Sequence, residues 1–237
     1  WGYRAKPTGV DPSNPGDIFL KYQNGGMLGV SLKAGTSASK EPILNTYVKP
    51  LFDYYGKPND YLKLKQSLYP QYREAGVSEQ DMRTKWGSAQ LAQQLGKFEK
   101  ENPKEYNRLY DINLSLVKQA VINLFNSDIK KTRKFIKSQI LKTQLKTPFI
   151  KVKATMSTAY VDNTYDQLQA GLEAATSIIA SDAGGSKQDF VIKLSDGITL
   201  NMEFSARSNK SGFLHKLGQF ENLSIKFNAI SGFTRNS

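Results

Sequence analysis

The chain has 237 residues and carries 33 Lys and Arg against 21 Asp and Glu, a formal charge of +12, which suits a polyanionic partner such as nucleic acid or an anionic surface. It contains no cysteine and one histidine, His215, so disulfide scaffolds, thiolate zinc sites, cysteine nucleophiles and multi-histidine metal centres are excluded. No apolar run approaches the roughly 20 residues of a membrane span, and no membrane association is expected.

In chain order, residues 1–16 are rich in Pro and Gly and read as an extended arm. Residues 17–23 and 27–34 read as two strands around Asn24-Gly25-Gly26, a strong turn signal. Helical patterns then dominate. Residues 42–56 form the first, with Pro50 set to end or kink it. Residues 60–69 form a second. A third starts at Ser78 with a capping-box-like pattern and runs toward Lys97 or Phe98. A fourth runs from about Pro103 to 125, with Leu109, Ile112, Leu116, Ala120 and Leu124 on one stripe. A fifth covers 127–141, capped by Ser127 or Asp128. Beyond it the pattern changes: a strand at 148–156, a helix at 165–180, a hairpin over 189–206 turning at Asp196-Gly197, and a strand at 222–230. The order predicts a mixed α/β or α+β fold. One domain spanning 1–237 is expected, with the helix-rich middle, 42–143, as a subdomain insertion.

The first hairpin carries polar residues on an otherwise apolar frame. Centred on Gly25, it sets Asp17 opposite Lys33 and Phe19 opposite Ser31. Directly paired residues share a face with Cβ atoms about 5 Å apart, so Asp17, Ser31 and Lys33 are expected to project together. A carboxylate beside a lysine on adjacent strands can hold a divalent metal such as Mg²⁺, which prefers oxygen ligands, while the lysine orients the attacking water or stabilises charge on phosphorus. The alternative is structural: Asp17 opens a strand, Lys33 lies along a sheet edge and Ser31 is incidental.

The run Gly16-Asp17, a turn, then Val30-Ser31-Leu32-Lys33-Ala34-Gly35 resembles the PD-(D/E)xK nuclease superfamily, which includes many type II restriction endonucleases. The resemblance covers about 30 of the 237 residues. It implies a central mixed β-sheet flanked by helices, a restriction-endonuclease-like core, carboxylates binding Mg²⁺ or Mn²⁺, and Lys33 as the catalytic lysine. Two departures stand out. The Pro is displaced to Pro15-Gly16-Asp17, and Ser31 holds the place of the second acid. SxK members of that superfamily recover the missing carboxylate from a downstream helix, and Glu41 is the natural candidate here, with Asp53 a poorer one. Asp128-Ile129-Lys130 is a closer literal match to the acid-x-Lys triplet but sits at a helix start, where Asp128 reads as a cap.

From Lys130 to Lys153 there are nine basic residues, Lys130, Lys131, Arg133, Lys134, Lys137, Lys142, Lys146, Lys151 and Lys153, and no acidic one. Ile129, Ile136 and Ile140 share one stripe, leaving the charges on other faces as a surface for phosphates. A solvated helix face is the plain alternative, and a membrane-surface helix would have only Phe135 as an anchor. Arg207, Asn209 and Lys210 follow a strand end, where such side chains reach base edges or phosphates; an ordinary loop explains them equally. Tyr47, Tyr54, Tyr55, Tyr61, Tyr69 and Tyr72 read as core packing rather than as a stacking platform. His215 reads as a loop or surface residue.

Together these features imply an Mg²⁺-dependent endonuclease acting on double-stranded DNA, of the restriction type. Asp17 and Glu41 would hold metal, Lys33 would assist the water, and Ser31 would sit beside them. The resemblance also implies 5′-phosphate and 3′-hydroxyl products. An enzyme that reads palindromes would be a homodimer. The lack of cysteine is compatible with a cytoplasmic protein. The competing readings are a non-catalytic basic nucleic-acid-binding protein and a phage or mobile-element nuclease of low sequence preference.

Overall fold

In the computed structural model, the described residues are 6–34, 45–84, 89–162, 164–185, 187–205 and 224–231. The chain is α+β, as the element order predicts, and its strands divide between two sheets.

The first sheet is four-stranded and mixed: β1 (Ile18–Lys21), β2 (Met27–Ala34), β4 (Phe149–Ala154) and β5 (Ala159–Val161), in that spatial order. β1 and β2 form the expected hairpin. β2 and β4 run parallel, joined by a long helical excursion. The second sheet is antiparallel. It contains β3 (Asn45–Tyr47), β6 (Ile178–Asp182), β7 (Asp189–Leu194), β8 (Thr199–Ser205) and β9 (Ser224–Ser231), in the order β3-β9-β8-β7-β6. Gly197, at φ 92°, supplies the left-handed residue that the β7–β8 turn requires.

The excursion holds α1 (Val48–Tyr54), α2 (Pro58–Glu74), α3 (Glu79–Thr84), α4 (Ala89–Glu101), α5 (Pro103–Ser127) and α6 (Ile129–Phe135). α1 starts at Val48, not 42, and Pro50 falls in its first turn, where a missing N–H leaves no bond unmade. Ser78 accepts the Asp81 N–H at 3.1 Å, as a capping residue should. Asp128, not Ser127, caps α6, accepting the Lys131 N–H at 2.9 Å. α6 passes into one π-helical turn, Ile136–Ile140.

α5 is the axis of the core. Its buried face runs through Tyr106, Leu109, Leu114, Val117, Val121, Leu124 and Phe125. The sequence stripe shares only Leu109 and Leu124 with it; Ile112, Leu116 and Ala120 are half-buried. Helices on one side and the second sheet on another bury α5 over most of its circumference, so a single stripe underestimates its apolar face. Five of the six tyrosines pack as expected: Tyr55, Tyr61 and Tyr72 are buried, and Tyr54 and Tyr69 lie against the core, while Tyr47 is half-buried.

α7 (Thr164–Ala174) is shorter than the predicted helix, and residues 178–182 form β6. Ile178 and Ala180 are buried while Ile179 is exposed, the two-residue period of a strand edge. α7 joins the two sheets. Leu168 and Leu172 enter the main core, and Tyr165 meets Phe149 of β4 with ring centroids 6.2 Å apart.

No described side chain of the four-stranded sheet belongs to the main apolar cluster. One face of that sheet carries Ile18, Leu20, Leu28, Val30, Leu32, Ile150, Val152 and Val161 by register. Ile18, Leu20, Leu32 and Val161 are 43–58% exposed there. The opposite face carries the polar groups described next. No described helix is long and apolar enough to cross a membrane.

Candidate functional site

The hairpin closes one residue earlier than the sequence suggests. Tyr22 N–H donates to Gly26 O at 2.8 Å and Gly25 N–H to Tyr22 O at 2.9 Å, so the loop centres on Asn24. The ladder pairs Ile18 with Val30 and Phe19 with Gly29. The ladder ends at Ile18, and the Asp17 N–H bonds Val30 O, so Asp17 sits just outside the paired strand and is not set opposite Lys33. Ser31 and Lys33 lie two apart on β2 and share a face, while the ladder pairs Asp17 with neither.

Asp17 is exposed at the foot of β1. Its N–H donates to Val30 O at 2.8 Å, and its Oδ2 accepts the Leu32 N–H at 2.8 Å. Ser31 is 3% exposed. The β2–β4 register pairs Ser31 with Lys151 and Lys33 with Lys153. Lys33 therefore stands on the same face, near the carboxyl ends of the two parallel strands, where ligands of open sheets characteristically bind. The Lys33 side chain, Glu41, Arg207, Asn209, Lys210 and His215 all lie outside the described residues.

Next to Ser31 the sheet holds a cluster that sequence reading missed. Lys151 and Lys153 both place Nζ 3.1 Å from Asp162 Oδ2. The Asp162 and Lys151 side chains are 4% and 6% exposed, and that of Lys153 is 34% exposed. Asp162 Oδ1 accepts Thr164 Oγ1–H at 2.7 Å and the Thr164 N–H at 3.1 Å. The Lys151 ammonium lies 4.9 Å from the centre of the Tyr165 ring, a cation–π contact. Burial would push the Asp162 carboxyl up. The Thr164 hydrogen bonds, the Lys153 ammonium and the charge on Lys151 outweigh it and hold the carboxyl well below its usual range. Two signals pointed here: Lys-Val-Lys alternating along β4, and an Asp two residues before the Thr that opens α7, the pattern of an Asx turn at a helix start.

Three of the five α6-region cations have structural duties. Lys131 Nζ donates to Tyr55 O at 2.7 Å, at the C-terminus of α1. Arg133 Nη2 donates to Ala175 O, just past α7. Lys137 pairs with Glu173 at 3.3 Å. Cations at helix C-termini are favourable on electrostatic grounds alone. Lys130 and Lys134 are exposed. Phe135 is buried, so the residue that would have anchored this helix to a membrane faces the core.

Among the described residues no three acidic, histidine or cysteine side chains gather as a metal site. Asp17 supplies one exposed carboxylate with Oδ2 turned to Leu32 N–H. One carboxylate, with waters and a substrate phosphate completing the shell, meets the least that Mg²⁺ sites require; it does not make a protein cage.

No family model matches the chain, and no curated protein or solved structure matches it.

Proposed function

We propose that the protein is an Mg²⁺-dependent endonuclease acting on double-stranded DNA, of the restriction type. The observation that supports this reading is the Asp17 carboxylate bonded to the Leu32 N–H, between Ser31 and Lys33, which share one face of β2. Asp17 and Glu41 would hold the metal, which when bound polarises a phosphodiester oxygen and acidifies a water. Lys33 would orient that water and offset charge developing on the phosphate. Ser31, packed beside Lys151, would keep the floor of the site polar without a second negative charge. Lys153, at the open end of β4, would draw in the backbone of the substrate.

Plasmid nicking with and without Mg²⁺ tests the proposal. The wild type should cut only with metal, and Asp17→Asn and Lys33→Ala should each lose at least about 100-fold, the scale of removing an acid–base or electrostatic group. Equal cutting by Lys33→Ala and wild type overturns the assignment. A second reading, a non-catalytic DNA-binding protein, is favoured by one observation: Asp17 is tied to the backbone of β2. That reading predicts a salt-sensitive, metal-independent gel shift without cleavage. Sequence preference on plasmid substrates separates a restriction enzyme, expected as a dimer on palindromic sites, from a phage or mobile-element nuclease.

A further inference from the structure

Away from the hairpin, α6 and the π-helical turn after it form one wall of an open groove of about 350 Å³. Lys130, Arg133, Lys134 and Lys137 line it, with Thr143 and Gln144 opposite. Positions 130, 133, 134 and 137 follow the i, i+3, i+4, i+7 spacing, so the four cations share one helix face. Among the described ion pairs, that of Lys137 with Glu173 is the one that involves these four.

The opposite wall is built, not incidental. Carbonyls in the last turn of a helix lack internal partners, and here the following loop supplies them. Thr143 N–H donates to Lys137 O at 3.1 Å, and Gln144 Nε2 donates to Ser138 O at 2.9 Å. These bonds fold residues 142–145 back along α6, with Lys142 in the left-handed region at φ 55°. Arg133, tied to Ala175 O, fixes the floor of the groove against the end of α7. π-helical insertions of this kind are concentrated at functional sites.

We propose that this groove seats the sugar–phosphate backbone of a nucleic-acid strand, as a binding site separate from the hairpin. The inference rests on the nucleic-acid reading above and deepens it. The cation stripe extends about 10 Å along the helix, a length over which one DNA strand presents roughly three phosphates. Thr143 and Gln144 spend donors on the Lys137 and Ser138 carbonyls, so they shape the wall and the cations make the phosphate contacts. α7 sets the spacing: Tyr165 near its start touches Lys151, and Ala175 past its end binds Arg133. Eleven helical residues span about 16 Å, so one substrate could occupy both positions. The groove contains no carboxylate to hold metal, so its contribution should be fully present in EDTA.

The test is fluorescence anisotropy of a labelled 20-base-pair duplex in EDTA over a range of KCl. Lys130→Glu/Lys134→Glu is compared with Lys63→Glu/Lys97→Glu, which changes the same net charge at lysines 77% exposed elsewhere. The groove variant should lose at least tenfold in affinity relative to that control, and its slope of log K against log salt should fall by about 2, one for each lost phosphate contact. Lys130→Ala/Lys134→Ala, with a melting curve matching the wild type, should move the same way by less. If groove and control variants weaken equally, the site is overturned and only general charge attraction remains. If the wild type binds no duplex at low salt, the site and the nucleic-acid reading fall together. Binding to phosphatidylserine vesicles in place of duplex would reassign the groove to a lipid surface. Cleavage decides the proposed chemistry alone and leaves the EDTA result standing.

Discussion

Asp162 holds two ammonium groups at one oxygen, and both it and Lys151 are removed from water. Asp162→Asn would leave two cations facing each other with no counter-charge. Breaking a buried pair in this way is expected to cost about 3–5 kcal/mol, toward the low end because Lys153 can turn to solvent. A urea titration measures it. The pH dependence follows from the sign of the shift. The folded carboxyl titrates below its unfolded value of 3.8, so its contribution is complete above that value and is lost as pH falls through the lower, folded one. The wild type should therefore lose this increment only in strong acid, and Asp162→Asn should show a flatter acid limb. Gly29 makes a second residue-scale case. A Cβ there would meet Asn14 Oδ1 at 2.8 Å. Asn14 cannot swing away, since its Nδ2 donates to Thr147 O at 2.8 Å and its Oδ1 accepts Gly16 N–H at 2.9 Å. Gly29→Ala should lower stability by about 1–3 kcal/mol through overpacking, read from the shift of the denaturation midpoint.

Elements differ in how much of them the sequence disclosed. The β1–β2 hairpin, α5, the Asp128 cap and the β7–β8 turn were legible because each rests on local chemistry: a Gly-rich turn, a long apolar period, a carboxylate before a free N–H. The hairpin register was not, because Asn24-Gly25-Gly26 allows more than one loop and the choice fell to two backbone hydrogen bonds. β6 was hidden inside a predicted helix because Ala174, Ala175 and Thr176 continue the helical pattern until Ile178 finds β7. The Asp162 cluster was illegible for a different reason: its parts come from two strands and a helix start, and only the parallel β2–β4 pairing sets Ser31 beside Lys151. Burial sorts the energetic outcomes at this scale. Leu114→Ala, inside α5 and 1% exposed, should cost about 2–5 kcal/mol. Leu20→Thr, on the open face of β1, should stay within about 0.5 kcal/mol. Thermal melts of the two variants side by side check the contrast.

At the scale of the molecule, α1, α2, α4, α5, α7 and the antiparallel sheet share one apolar cluster, and the four-stranded sheet that carries the candidate site stands outside it. Stability should be unequal in the same sense. Amides of β1 and β2 should exchange with deuterium at least about tenfold faster than those of β7 and central α5, because local opening scales with buried apolar contact. Uniform protection in a native-state exchange experiment would show that the two parts unfold as one. The outward side of that sheet also governs how copies of the protein meet in solution. A charge of +12 keeps them apart in dilute buffer, but ions screen that repulsion within about 10 Å at 0.1 M. Sulfate further strengthens attraction between wetted apolar surfaces such as those of Ile18, Leu20, Leu32 and Val161. The chain should therefore salt out at lower ammonium sulfate than its polar composition suggests, and lysine placed at position 20 or 32 should raise that threshold.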